Sequence, residues 1–169
     1  MTFRALEPTD IDLLYTIEND PELWDVSGCC TPYSRYDLEN YILSQQHDLY
    51  ADKQLRLVIV AEGQGDAEGR AVGLLDLFNY SPAHHRAELG LAILKSERGK
   101  GYATSALQAF MPYAHDKLHL HQLYCIVPAD NAASLAMLRT AGFTHEVTLL
   151  EWLNTSVGYR NCISLFRIL

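Results

Sequence analysis

The stretch that decides the fold reads Arg98-Gly99-Lys100-Gly101-Tyr102-Ala103. An apolar run typical of a strand precedes it at residues 86–94, and a run with helical spacing follows it at residues 102–115, so we predict a strand-to-helix turn. Its two glycines let the backbone turn sharply and keep any Cβ away from a ligand. The unpaired N–H groups of the helix start, the helix dipole and the two cationic side chains together predict an anion site of pyrophosphate size.

Two common phosphate loops do not match this stretch. A Walker loop needs four residues between its first glycine and Gly-Lys-Ser/Thr, and a dinucleotide fingerprint needs a third glycine. The pattern that fits is Gln/Arg-x-x-Gly-x-Gly/Ala, from Arg98 to Ala103. A second block, residues 131–143, contains Asn-x-x-Ser and ends in Gly-Phe. Together the two blocks resemble the coenzyme A pyrophosphate loop and a later helix of the GNAT superfamily of acyl-CoA-dependent N-acetyltransferases.

The resemblance implies acetyl-CoA as co-substrate and predicts where it binds. In this superfamily the fourth and fifth strands splay apart, and the pantetheine arm bonds to the freed backbone of the fourth strand much as an added strand would. That backbone belongs here to Leu91, Ala92 and Ile93, and Asn131 would hold the arm from the other side. The pyrophosphate would meet the backbone N–H groups of Arg98, Gly99, Lys100, Gly101, Tyr102 and Ala103.

Composition limits the classes of protein to consider. The chain has 169 residues, 49% of them hydrophobic, which suits one domain over residues 1–169 and is too short for two ordinary domains. No apolar run approaches membrane-span length and no signal segment is evident, so we expect a cytoplasmic protein without membrane contact. The net charge of −8 argues against a nucleic-acid partner and fits either a cationic substrate or simple solubility.

The cysteine and histidine patterns predict no metal site. The chain has four cysteines: Cys29, Cys30, Cys125 and Cys162. They form no CxxC pair, so we expect buried or inert thiols rather than a zinc site or a disulfide framework. Three histidines are clustered: His115, His119 and His121. They have no carboxylate or cysteine at ligand spacing, and histidines at a helix C-terminus complement its dipole.

The periodicity predicts the element order β-α-α-β-β-β-α-β-α-β-β. Thr9 is predicted to cap the first helix, which Asp20-Pro21 ends, and residues 22–33 are predicted to be a loop. Ser34 with Asp37 is predicted to cap a second helix that runs to about His47. The order matches the GNAT arrangement, an α/β (α+β) domain with a mixed, mostly antiparallel sheet of six to seven strands and about four helices.

The resemblance also indicates where the acceptor binds. In the GNAT arrangement the first two helices and their linker form a wall of the acceptor pocket. Exposed aromatic and acidic residues on such a segment are candidate substrate contacts, although simple packing would also explain them. These candidates are Trp24, Asp25, Tyr33 and Tyr36.

Transfer to an amine requires a base, because an amine with a pKa near 10 is mostly protonated near neutral pH. Glu88 is the candidate, since its sequence His-Arg-Ala-Glu-Leu is similar to the equivalent strand of bacterial spermidine acetyltransferases; the alternative is an ion pair with Arg86. Many GNAT members have a tyrosine as general acid where this chain has Leu138. Ser134 is an alternative proton donor, unless it only bonds local backbone.

These observations predict an acetyl-CoA-dependent N-acetyltransferase that acts by direct transfer in a ternary complex. Its acceptor would be a primary amine of a polyamine or of a protein or peptide N-terminus. The alternative is a non-catalytic acyl-CoA-binding regulator, which Leu138 supports. Neither hypothesis involves nucleic acid, membrane or metal, and a homo-oligomer is left open.

Overall fold

The computed structural model describes residues 1–27, 29, 31–46, 48–63 and 66–169. These residues form one seven-stranded mixed sheet in the order β1-β2-β3-β4-β5-β7-β6. The strands are β1 Thr2–Ala5, β2 Leu55–Gly63, β3 Asp66–Ser81, β4 Arg86–Ile93, β5 Gln122–Pro128, β6 His145–Thr155 and β7 Gly158–Ile168. The α-helices are α1 Ile11–Glu18, α2 Pro21–Ser27, α3 Arg35–Ser44, α4 Leu49–Asp52, α5 Tyr102–Asp116 and α6 Ala132–Thr140. Short 3-10 turns precede α1, β4 and the glycine loop.

The sheet divides at its one parallel pair. Strands β1 to β4 pair antiparallel in chain order, and β5, β7 and β6 form a second antiparallel group. Strands β4 and β5 join the two groups through only three pairs, from Arg86 with Gln122 to Glu88 with Tyr124. Beyond Glu88 the two strands diverge, so the sheet opens into a V. This confirms the α/β domain with a mixed, mostly antiparallel sheet, and the divergence is the one that the resemblance implied.

Helices cover both faces of the sheet, and β4 contributes to both cores. Ala87, Leu89 and Ile93 are buried in the larger core, which includes Phe110 of α5 and Phe143 after α6. The other face of β4 packs on a smaller core built from α1, α3 and the neighbouring strands. The alternation in the sequence therefore places Leu89 and Glu88 on opposite faces, as predicted.

Two helices were not predicted, and the reasons are local. Residues 22–33 were expected to be a loop, but Pro21 opens helix α2. Proline suits the first helical position, because the N–H that it lacks would be unpaired there. The Asp20 carboxylate accepts the Glu22 N–H (3.0 Å) and stabilises this start. Helix α4 is one turn long, and Asp48 caps it by accepting two backbone N–H groups.

The first helix begins differently from the prediction. Thr9 was expected to be its cap, but Asp10 accepts the Glu7 N–H (2.9 Å) and Arg4 holds the same carboxylate. The second capping prediction is confirmed, because Ser34 and Asp37 bond reciprocally at the start of α3. The predicted end of that helix at His47 lies outside the described residues. No α-helix in the described part of the chain has the length and apolar character that crossing a membrane requires.

Candidate active site

A cavity of about 800 Å³ occupies the opening between β4 and β5. Its floor is the diverging edge of β4, and α6 closes one side. Helices α1, α2 and α3 contribute to the opposite side, where charged residues of β2 and β3 are also exposed to the cavity. A single cavity therefore connects the β4 edge with a set of polar side chains on the other side of the sheet.

The glycine loop has the backbone conformation that glycine permits. Gly99 (φ +78°) and Gly101 (φ +83°) both lie in the left-handed region, and an added Cβ at either position would meet no protein atom within 4 Å. Gly101 is the N-cap of α5 and has no side-chain capping bond, so the first N–H groups of a 15-residue helix are available to a ligand. The space beside the loop and these donors fit an anion of phosphate type.

The two cations of the loop bond to carboxylates. Lys100 Nζ donates to the buried carboxylate of Glu97 (3.0 Å), which also accepts from Arg70. Arg98 donates to Asp20 (3.1 Å) and Glu22 (3.0 Å), at the start of α2. The sequence predicted that both cations assist the anion site, and in this structure each of them is also bonded to carboxylates.

The free edge of β4 presents alternate residues to the opening. The Leu94 N–H donates to Val72 O (2.9 Å), toward β3. Because alternate residues of a strand direct their N–H and C=O groups to the same edge, Ala92 also faces β3, and Leu91 and Ile93 face the opening. The Ile93 carbonyl accepts from Arg98 Nε (3.1 Å). The backbone of Leu91 and the N–H of Ile93 are therefore the groups directed toward a ligand, and Ala92 lines the cavity with a small side chain.

Glu88 lies where β4 and β5 separate, and its carboxylate faces the cavity. Asn79 Nδ2 donates to it (2.9 Å), and Tyr124 lies beside it. Burial raises the pKa of Glu88 above its usual value, against the opposing effect of these two hydrogen bonds. Among the described residues Glu88 forms no ion pair, so the alternative pairing with Arg86 is not observed. A carboxylate with a raised pKa in a cavity is suited to accept a proton.

Helix α6 brings the second sequence block to the same cavity. Asn131 is the N-cap, and its Oδ1 accepts the Ser134 N–H (3.1 Å). The Ser134 hydroxyl has no protein partner within the described ranges, and it lines the cavity together with the buried Leu138. The structure thus brings Glu88 of β4 together with Ser134 and Leu138 of α6 at one cavity.

The protein-family model described as the acetyltransferase (GNAT) domain matches residues 1–144 of this chain. The chain belongs to this family. It is therefore an N-acetyltransferase, and the seven-stranded sheet opened between β4 and β5 is the GNAT fold.

Curated relatives of this GNAT enzyme include two bacterial spermidine acetyltransferases. The Escherichia coli K12 spermidine N(1)-acetyltransferase is 29% identical over 163 residues, covering 95% of this chain and 81% of the relative. The Vibrio cholerae protein of the same name is 27% identical over 152 residues, covering 89% and 83%. The solved structure of the Vibrio cholerae spermidine N-acetyltransferase with CoA and spermine has a TM-score of 0.83, at 25% identity over 99% of this chain and 94% of that one.

The four predicted acceptor contacts of this GNAT enzyme lie in different surroundings. Tyr33 lines the cavity, and burial raises its pKa. Trp24 donates its Nε1 to the Glu18 carbonyl (3.1 Å) and so anchors α2 to α1. Asp25 and Tyr36 are exposed and, like Trp24, are not among the described residues that line the cavity. The structure therefore brings only Tyr33 of this set to the cavity wall.

A charged cluster that the sequence did not predict lines the cavity on the side of α1, β2 and β3. Arg56 of β2 bonds the Asp76 carboxylate through two nitrogens (2.6 and 3.1 Å) and Glu18 of α1 through a third (2.6 Å). Its guanidinium also lies over the Tyr41 ring (5.3 Å). One signal was available: Arg56 and Asp76 are the charged residues within the otherwise apolar runs 55–61 and 71–78. With Glu88, the cluster contains three carboxylates and one cation.

Two of the four thiols of this GNAT enzyme are buried, and the clustered histidines lie together at the surface. Cys125 and Cys162 are buried, and burial raises the pKa of both thiols. Cys29 is partly exposed, and Cys30 lies outside the described residues. His115, His119 and His121 line a shallow depression with His85. Within the described ranges, no group of three His, Cys, Asp or Glu side chains is arranged to hold a metal ion.

Proposed function

We propose that this enzyme transfers the acetyl group of acetyl-CoA to a primary amine of a polyamine, by direct transfer in a ternary complex. The proposal rests on one observation: the cavity that begins at the free β4 edge ends among the carboxylates of Glu88, Asp76 and Glu18. A coenzyme site of neutral backbone groups and an acceptor site of net negative charge therefore share one space.

Acetyl-CoA fits the residues that the structure offers. Its diphosphate would be held by the N–H groups from Gly99 to Ala103, where the left-handed glycines leave open space. Its pantetheine amides would bond the β4 edge at Leu91 and Ile93, with Asn131 on the opposite side of the cavity. When bound, it supplies an activated thioester.

The remaining chemistry belongs to side chains of the enzyme. Glu88 accepts a proton from the acceptor ammonium, directly or through a water molecule, and so provides the neutral amine that attacks. Backbone N–H groups near Leu89 to Leu91 polarise the thioester carbonyl. The C–N bond forms as the C–S bond breaks, and the Ser134 hydroxyl protonates the departing thiolate. The serine regains a proton from the attacking nitrogen, which loses its second proton directly or through a water molecule. A thiol with a pKa near 8.5 also leaves at a useful rate without help.

The charge of the acceptor side favours a polyamine over a peptide N-terminus. Arg56 neutralises one of the three carboxylates, and the other two remain to bind ammonium groups. A polyamine has several ammonium groups spaced along an apolar chain, whereas a peptide N-terminus has one. The two spermidine acetyltransferases among the relatives support the same class. The dodecameric state of a Vibrio cholerae relative supports self-association of this chain, and a cytoplasmic location stays a prediction.

Release of free CoA in the presence of an acceptor panel tests the proposal. Spermidine and spermine should support turnover, while peptides that mimic protein N-termini should support little or none. Turnover restricted to the peptides would contradict the polyamine assignment. Acetyl-CoA binding measured by calorimetry, without turnover on any amine, would favour the regulator hypothesis instead.

Two substitutions on α6 separate assisted from unassisted thiolate departure. If Ser134 donates the proton, Ser134→Ala should lower kcat by about 100-fold or more, within the range expected for loss of a general acid. If the thiolate leaves unassisted, the same variant should keep most of its activity, and Leu138→Tyr should raise kcat by placing a phenol at the usual GNAT donor position. Single-turnover rates at saturating acetyl-CoA measure both effects, and unchanged acetyl-CoA affinity is the control.

A further inference from the structure

Helix α2 forms part of the acceptor wall but has almost no core of its own. None of its residues is buried, although Leu23, Val26 and Ser27 line the cavity. A segment with little buried apolar surface is held chiefly by its polar contacts, and its opening costs little free energy. The position of α2 therefore depends strongly on the groups that bond to its first residues.

Those groups come from the segment that leads into the coenzyme loop. Glu22, the second residue of α2, accepts from Lys95 Nζ (2.5 Å) and from Arg98 (3.0 Å). Asp20, immediately before the helix, accepts from Arg98 as well (3.1 Å). These pairs join positions more than 70 residues apart in the chain. We call Asp20, Glu22, Lys95 and Arg98 the α2 clamp.

We infer that Arg98 is a positioning residue: through the α2 clamp it couples the coenzyme loop to the acceptor wall and thereby determines how well the acceptor is captured. Its backbone belongs to the loop, while its three guanidinium nitrogens bond Glu22, Asp20 and the Ile93 carbonyl at the end of β4. One side chain thus holds together the β4 edge, the loop and α2. The inference rests on the proposed function, because the loop is taken as the coenzyme site.

The competing role for Arg98 is direct contact with the diphosphate, and the two roles predict opposite results for Glu22. If Arg98 positions α2, removal of the Glu22 charge loosens the acceptor wall and leaves coenzyme binding unchanged. If Arg98 is a phosphate ligand that Glu22 restrains, the same change frees it and strengthens acetyl-CoA binding. Lys95 and then Arg98 hold the pKa of Glu22 below its usual value, which favours the charged carboxylate.

The experiment uses three variants: Glu22→Gln, Arg98→Gln and the double variant that carries both changes. Each is compared with the control variant Glu39→Gln. Glu39 is an exposed residue of α3 that forms no hydrogen bond or ion pair within the described ranges. Glu39→Gln therefore removes one negative charge, as Glu22→Gln does, without removing a contact. We expect Glu22→Gln to raise the spermidine KM by about 2- to 5-fold, the range expected for the loss of exposed ion pairs, with kcat and acetyl-CoA affinity unchanged. The double variant should lose less than the sum of the two single effects, because both single variants remove the Arg98–Glu22 pair.

Hydrogen exchange gives a second readout that needs neither turnover nor an acceptor. The amides of residues 22–27 should exchange faster in Glu22→Gln and Arg98→Gln than in the wild type, and at the wild-type rate in Glu39→Gln. Unchanged exchange in Glu22→Gln, or tighter acetyl-CoA binding by that variant, would overturn the inference. Failure of the wild type to acetylate spermidine would count against the proposed acceptor, while exchange and calorimetry would still decide the role of Arg98.

Discussion

Replacement of Gly101 by aspartate should weaken acetyl-CoA binding by at least about 100-fold. Its carboxylate would stand at the N-cap of α5, where the proposed site holds a diphosphate. Two unit charges 4 Å apart repel by about 4 kcal/mol at an effective dielectric constant of 20, which corresponds to roughly 1,000-fold in affinity. The protein itself accommodates the side chain, since a Cβ at this position meets no atom within 4 Å. Isothermal titration calorimetry with acetyl-CoA measures the loss.

Gly101→Asn is the matched control for this prediction. Asparagine has nearly the size of aspartate and tolerates a positive φ about as well, so both variants bear the same backbone strain at φ +83°. The asparagine variant should therefore unfold at about the same temperature as the aspartate variant and retain much more of the acetyl-CoA affinity. Equal affinity of the aspartate variant and the wild type would show that the diphosphate binds elsewhere.

Glu88→Gln should lower kcat/KM for spermidine by about 100-fold or more near neutral pH, the range expected for loss of a general base. The amide keeps the shape and the partners of the carboxylate but cannot accept the proton. Acetyl-CoA affinity should stay near that of the wild type, because the β4 groups directed toward the coenzyme are farther along the strand. Steady-state rates measured from about pH 5 to pH 10 test the assignment.

The raised pKa of Glu88 also predicts how the transfer rate depends on pH. Burial raises the pKa of Glu88 above 4.5, so the wild-type rate should rise as pH increases through that raised value and Glu88 loses its proton. The rate deficit of Glu88→Gln should be largest between this pKa and the amine pKa near 10, and it should shrink at high pH as neutral amine becomes abundant. Parallel profiles for the two proteins would exclude Glu88 as the base.

The same raised pKa predicts an effect on stability. The folded state binds the Glu88 proton more tightly than the unfolded chain does, so the contribution of this group to stability falls as pH rises above the unfolded value of 4.5. The neutral glutamine avoids that cost. Glu88→Gln should therefore unfold at no lower temperature than the wild type near pH 7, and loss of activity in this variant would not reflect unfolding.

Local features of the chain allowed much of the fold to be predicted. The glycine loop, the Asn131 block and the alternation of β4 depend on residues close together in sequence, where conformational preference and periodicity act directly. The capping box at Ser34 is of the same kind. Helix α2 was not predicted, because Pro21 was interpreted only as the end of the preceding helix. Proline also suits the first position of a helix.

The charged contacts of the site were decided by tertiary structure. Glu18, Arg56 and Asp76 have no local pattern in common, and they meet only because α1 packs over the face of β2 and β3. The sequence likewise indicated that Arg98 is cationic and belongs to the loop, but not that Asp20 and Glu22 would bond to it. Ion pairing depends on distance in space, and the position of one charge in the sequence carries little information about a partner more than 70 residues away.

Sequence alone thus determined that this chain has the GNAT loop, the order of the strands and of four of the six helices around it, and a carboxylate at the start of the strand opening. These properties follow from backbone preference and side-chain periodicity, which short stretches already contain. The tertiary structure alone decided which side chains line the cavity, that Tyr33 reaches it, and that the loop cations bond to carboxylates. The physical reason is that charge and burial are properties of an environment, and several distant segments must pack together before that environment exists.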